Sequence, residues 1–107
     1  MNSKKSRIGV LISTSMCRND LLFGRSLASV LSQSVEPDSI LIVDDNENSH
    51  ASEELVAKLN SYHNPKIHYL KNYHTHGFSG TGAWNSGIEW YTSKFNDCDY
   101  IAFLDDD

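Results

Sequence analysis

The stretch "RIGVLIS", residues 7–13, is a nearly unbroken aliphatic run set between a polar amino-terminal segment and "TSMCRND". A strand with one wet face alternates apolar and polar residues, and this run has no polar face to offer. It therefore reads as a strand covered on both sides, the usual condition in a parallel sheet. "ILIV" at 40–43 repeats the signature. "KIHYLK" at 66–71 is a third and more alternating strand, and "YIAFL" at 100–104 is a fourth.

Between these runs the period changes to that of a helix. Asn19 or Asp20 offers a side-chain cap, and Phe23, Leu27, Val30 and Leu31 then recur at helical spacing. Pro37 ends that pattern by disfavouring helical geometry at Glu36. Asn48 or Ser49 caps a second helix with Ala51, Leu55, Leu59 and Tyr62 along one stripe. Glu53 and Glu54 are expected in its first turn, where carboxylates favour the helix dipole. A third helix carries Trp84, Ile88, Tyr91 and Phe95 on a shared face. Strand and helix alternate throughout, which implies right-handed crossovers and an α/β fold with a mostly parallel sheet flanked by helices.

In such sheets ligands bind beyond the carboxyl ends of the strands. Both acidic clusters fall there: Asp44-Asp45 after the second strand, and Asp105-Asp106-Asp107 after the fourth. Adjacent carboxylates repel, so the triplet makes sense when a cation sits among them. Hard oxygen ligands suit Mg²⁺ or Mn²⁺. Along an extended backbone Asp105 and Asp107 point the same way and Asp106 the other. Asp44 and Asp45 read equally well as ribose or base ligands and as an Asx turn with Asn46 and Asn48.

Length and charge remove other classes. A chain of 107 residues is expected to be one domain, 1–107. A formal charge of −5 argues against a nucleic-acid partner. No apolar run approaches the roughly 18 residues of a membrane span. The amino terminus lacks the cleavage site of a signal peptide. Cys17 and Cys98 have no CxxC spacing and read as free thiols of a cytoplasmic protein. "GFSGTG" lacks the lysine of a phosphate loop; its glycines could let backbone approach a phosphate, but they read better as a tight turn. His74 and His76 read as loop histidines with no zinc-site partners. Trp84 and Trp90 read as packing residues.

In this order the segments resemble the nucleotide-binding half of a family 2 glycosyltransferase, an inverting group with the Rossmann-like GT-A fold. "ISTSMCRND" resembles its opening Pro-Thr-Tyr-Asn-Arg strand end, and "LASVLSQS" its Ser-Val-Leu-x-Gln helix. "IVDDNEN" resembles its Val-Asp-Asp, "GTGAWNSGI" its Ala-Arg-Asn-x-Gly helix start, and "YIAFLDDD" its Asp-x-Asp strand. The resemblance runs from Arg7 to Asp107. It implies a donor-binding site in which Thr14, Asp44, Asp45, Asn85, Gly87 and Asp105 contact the nucleotide sugar. Asp107, with Asp105, would hold Mn²⁺ or Mg²⁺. A UDP-sugar donor and a saccharide or other hydroxyl acceptor are implied as partners, and membrane association of a longer form stays open.

Three positions depart from the family pattern: Ser13 for a proline, Met16 for an aromatic that stacks on the base, and Trp84 for an arginine. The resemblance also implies that the chain is truncated after the Asp-x-Asp strand. The general base would then lie beyond Asp107, and the chain would bind donor weakly, if at all, without turnover. Two rivals fit less well. A receiver domain places its acids after strands one and three, here replaced by two and four. A nucleotidyltransferase favours a glycine-rich basic loop after the first strand, and "TSMCRND" has no glycine.

Overall fold

A computed structural model describes residues 7–15, 18–72, 81–93 (side chains from 84) and 98–106. It contains a sheet of four parallel strands, β1 (Ile8–Thr14), β2 (Ser39–Asp44), β3 (Ile67–Lys71) and β4 (Tyr100–Leu104), in the order β3-β2-β1-β4. The Rossmann-like α/β architecture expected from the sequence is present. The strand order reverses between β1 and β4, so the crevice favoured for ligands opens above that pair.

The two unbroken aliphatic runs occupy the middle of the sheet. Leu11, Ile12, Leu41 and Ile42 are fully enclosed, and every residue of β2 is buried. β3 was expected to alternate. As an edge strand it instead leaves four of its five residues half-buried. The other edge, β4, exposes Tyr100, Phe103 and Leu104.

One face packs Val10, Ile12, Ile40 and Ile42 against the first two helical segments. The first consists of α1 (Asn19–Leu21), a π-helical turn at Leu22–Ser26 and α2 (Leu27–Leu31). The π turn accounts for a difference from the sequence reading, which began the buried stripe at Phe23. One extra residue in the turn lets Leu22 and Leu27, five apart, both reach the core, and both are fully buried. Phe23 moves outward and stacks on Tyr62 at 5.9 Å. Neither Asn19 nor Asp20 is the cap: Arg18 occupies that position without a side-chain cap bond. The Asn19 amide is used elsewhere, donating to the carbonyl of Ala51 at 3.0 Å.

The next helix, α3 (Ser49–Ser61), is capped as one of the two expected residues allows. Asn48 Oδ1 accepts from the Ala51 amide at 3.0 Å. Ala51, Leu55 and Leu59 are its buried stripe. Glu53 and Glu54 lie beyond the first turn, which holds no acid, because the helix starts at Ser49. An Asn48→Ala change removes the acceptor for an otherwise orphaned helix donor and is expected to cost about 1 kcal/mol. For a domain of this size that lowers the melting temperature by about 4–8 °C, readable by calorimetry. An unchanged melt would show that the cap bond adds nothing.

The opposite face is covered by α4 (Thr81–Ser93), where Tyr91 is buried with Leu11, Leu41 and Val43. Trp84 and Trp90 pack there as expected, and Cys98 packs beside them. Ile88, expected on the buried face, is exposed. Phe95, Met16, Cys17, His74, His76, most of "GFSGTG" and Asp107 fall outside the described residues, as do the side chains of the remainder of that glycine segment. Among the described residues no helix is long and apolar enough to cross a membrane.

Candidate functional site

The parallel register aligns the strand ends. Thr14 pairs with Asp44, and Asp44 pairs with Lys71. The ladder carries on past the strands, with the Asp45 amide donating to Thr14 O and the Asn72 amide to Asp44 O, each at 2.8 Å. On the other side Ile12 pairs with Leu104, which brings Asp106 level with Thr14. Thr14 Oγ1 donates to Asp106 Oδ2 at 3.1 Å. Thr14, Asp44, Asp45, Asp105 and Asp106 thus share one rim at the carboxyl edge, at the point where the strand order reverses.

The two members of the first acidic pair differ in environment. Asp44 is fully buried. Its Oδ1 accepts from the Asn46 amide at 2.9 Å and from Asn46 Nδ2 at 2.7 Å. Its Oδ2 accepts from the Tyr69 hydroxyl at 2.6 Å and lies 3.8 Å from Lys71 Nζ. Burial alone pushes this carboxyl up, but hydrogen bonds from Ser52, Tyr69 and Asn46 outweigh it and hold the group below its ordinary value. The same partnership, added to burial, pushes the Tyr69 phenol well above its usual range. Asp45 is half-buried, and its Oδ1 accepts from Asn72 Nδ2 at 2.5 Å. Asn72 Oδ1 in turn accepts from Ser86 Oγ on α4 at 2.5 Å, so a polar relay runs from helix to rim.

The second cluster also divides. The Asp105 side chain is exposed, while its carbonyl accepts from Ser26 Oγ of the π turn. Asp106 is buried at 1% exposure. Besides Thr14, its Oδ2 accepts from Arg18 Nε at 3.1 Å and lies 3.4 Å from the Ser15 amide. Its Oδ1 is buried with no hydrogen-bond partner among the described residues. Among the described residues no three His, Cys, Asp or Glu side chains gather into a metal cluster.

On α4, Asn85 is exposed and Gly87 is buried. Gly87 faces the core, where a Cβ would stand 2.2 Å from Leu11 Cδ1, so its hydrogen is what lets α4 lie close to β1. Gly9 makes the matching approach beneath the Tyr91 ring.

Sequence reasoning gave no role to Arg18, Asn72 or Ser86, and none to Asp106 beyond its opposed direction. Arg18 and Asn72 lie in connections without a period. Only the arginine in "CRND" and the middle position of the acidic triplet were visible signals.

The fold and rim together define an α/β domain with carboxylates gathered at the carboxyl edge of a parallel sheet, at its switch point. The model of glycosyl transferase family 2 matches residues 14–107, and the chain belongs to that family. Members of this family generally use nucleotide-sugar donors and divalent metals. No curated protein and no solved structure matches the chain significantly.

Proposed function

We propose that residues 1–107 form a nucleotide-sugar-binding subdomain that serves metal-dependent, inverting transfer of a sugar from a nucleoside diphosphate to an acceptor hydroxyl. The observation that carries this reading is the closure of the rim by Thr14. Its carbonyl takes the Asp45 amide and its hydroxyl reaches Asp106, so both acidic ends meet over β1. A diphosphate is polyanionic, and a rim of carboxylates receives it through a cation.

The donor set fits such an ion. It is all oxygen, with Asp105 exposed at the strand end, as a hard divalent cation requires. Asp107 with Asp105 would hold Mn²⁺ or Mg²⁺, which when bound neutralises charge on the diphosphate leaving group. Asp45 is assigned to the base, and Asp105 also to the ribose. Thr14 lines the nucleoside end of the crevice through its backbone, because its hydroxyl is engaged by Asp106. Asp44 supports the loop after β2 from below. Gly87 holds α4 down, and Asn85 stands on that helix at the donor wall. Inversion follows when the acceptor oxygen attacks the anomeric carbon from the face opposite the departing diphosphate.

Calorimetric titration with UDP, GDP and CDP, each with and without Mn²⁺, tests the reading. One nucleotide, with UDP expected, should release heat only when metal is present, and Asp107→Ala should abolish it. No metal-dependent heat with any of the three overturns the proposal.

A further inference from the structure

We propose that Arg18 and Asp106 are positioning residues: their ion pair holds the end of β4 against the β1–α1 connection and so sets the metal-binding and nucleotide-binding carboxylates on either side of it. This inference rests on the donor-site reading above.

Three observations lead to it. First, the pair bridges the topological break. Arg18 stands at the start of α1 and Asp106 beyond the end of β4, and the N–O distance is 3.1 Å. The last paired residues of β1 and β4 are Ile12 and Leu104, so both members of the ion pair lie past that pairing. Ser26 Oγ of the π turn, which donates to the Asp105 carbonyl, fastens the same stretch from below. A π turn placed beside a site is a recurrent way of re-aiming a helical side chain.

Second, the alternation of the triplet divides the work. Asp106 points inward, while Asp105 before it is exposed. An inward anchor at Asp106 fixes the backbone of Asp105 beside it, in the way that outer-shell partners orient metal ligands. The anchor's donors, Thr14, Ser15 and Arg18, all meet one oxygen, Oδ2.

Third, Oδ1 is buried and unpartnered. A buried carboxylate oxygen without a donor costs stability, so packing alone does not account for an aspartate there. Arg18 is 42% exposed, so its charge neutralises Asp106 from the solvent side without filling that oxygen's place.

The test is nucleotide affinity in the presence of Mn²⁺ for the 107-residue chain and for Arg18→Ala, Arg18→Lys and Asp106→Asn. Circular dichroism first establishes that each variant is folded. Arg18→Ala should weaken metal-dependent binding about 10–100-fold, the range for loss of an outer-shell partner. Millimolar guanidinium should restore most of the loss in Arg18→Ala and none in Asp106→Asn, a rescue that a merely structural role would not show. Arg18→Lys should fall between, because it keeps the charge and loses the planar Nε–H contact. Binding by Arg18→Ala within two-fold of the parent, or no rescue by guanidinium, overturns this inference and leaves the donor-site reading standing. Absence of nucleotide binding by the parent overturns both.

Discussion

Gly87→Val is expected to leave the chain largely unfolded at room temperature, and Gly87→Ala to lose about 1–3 kcal/mol. The alanine change isolates the cause. In a free helix the replacement of glycine by alanine stabilises by about 0.5–1 kcal/mol, so propensity predicts a gain. Contact predicts a loss, because the new Cβ would lie 2.2 Å from Leu11 Cδ1 and 2.8 Å from its Cγ. Leu11 is fully enclosed and cannot swing aside. The contact term is the larger, and the sign is destabilising. Valine adds two more methyl groups to the same space, against a total stability of only about 5–15 kcal/mol for a domain.

Leu11→Ala offers the discriminating partner. Alone it should cost about 2–5 kcal/mol through the cavity it leaves. Combined with Gly87→Ala it vacates the space the new methyl needs, so the two losses should fall well short of additive. Denaturant unfolding of the two single variants and the double variant measures that coupling. A Gly87→Ala protein as stable as the parent would mean that α4 can lift from β1 at no cost.

Gly87 also illustrates what was legible in the chain and what was not. The central strands could be read because an aliphatic run with no polar face has only one stable environment, and β1 and β2 occupy it. From those strands followed the parallel order and the placing of both acidic ends at one rim. The resemblance expected Gly87 at the donor wall, and the structure packs it against the core. A glycine in a helix says that something comes close, and only the packing of α4 on β1 says what.

The split within each acidic cluster was partly hidden for a similar reason. Adjacent aspartates face opposite ways by geometry alone, so an opposed Asp106 could be expected from alternation. That Asp106 meets Arg18 could not be read, because the arginine sits in a connection where no period constrains it. Likewise Asp44 and Asp45 were equal on paper. The register that sets Tyr69 and Lys71 of β3 beside β2 made Asp44 the enclosed member. The π turn was invisible because Phe23 keeps the ordinary helical interval to Leu27, whereas Leu22, the residue that is fully buried, does not.

Asp44→Ala should destabilise by about 3 kcal/mol, since it strands several buried donors at once. The Asn46 amide and side chain lose their shared acceptor, and the Tyr69 hydroxyl loses its carboxylate partner. Lys71 suffers less, because it is half exposed and keeps its bond to Ser52 Oγ at 3.0 Å. The pH dependence separates charge from shape. In the unfolded chain Asp44 titrates near its ordinary 3.8, and in the folded chain it titrates lower. The folded state therefore binds fewer protons over that interval, and stability rises with pH across it. The contribution is complete above the ordinary value and drains away as pH falls through the folded one. Asp44→Asn keeps the shape and cannot titrate, so its unfolding free energy should lie below the parent's at neutral pH and converge on it as pH falls. Parallel curves for parent and variant down through that range would show that Asp44 is held by its shape and not by its charge.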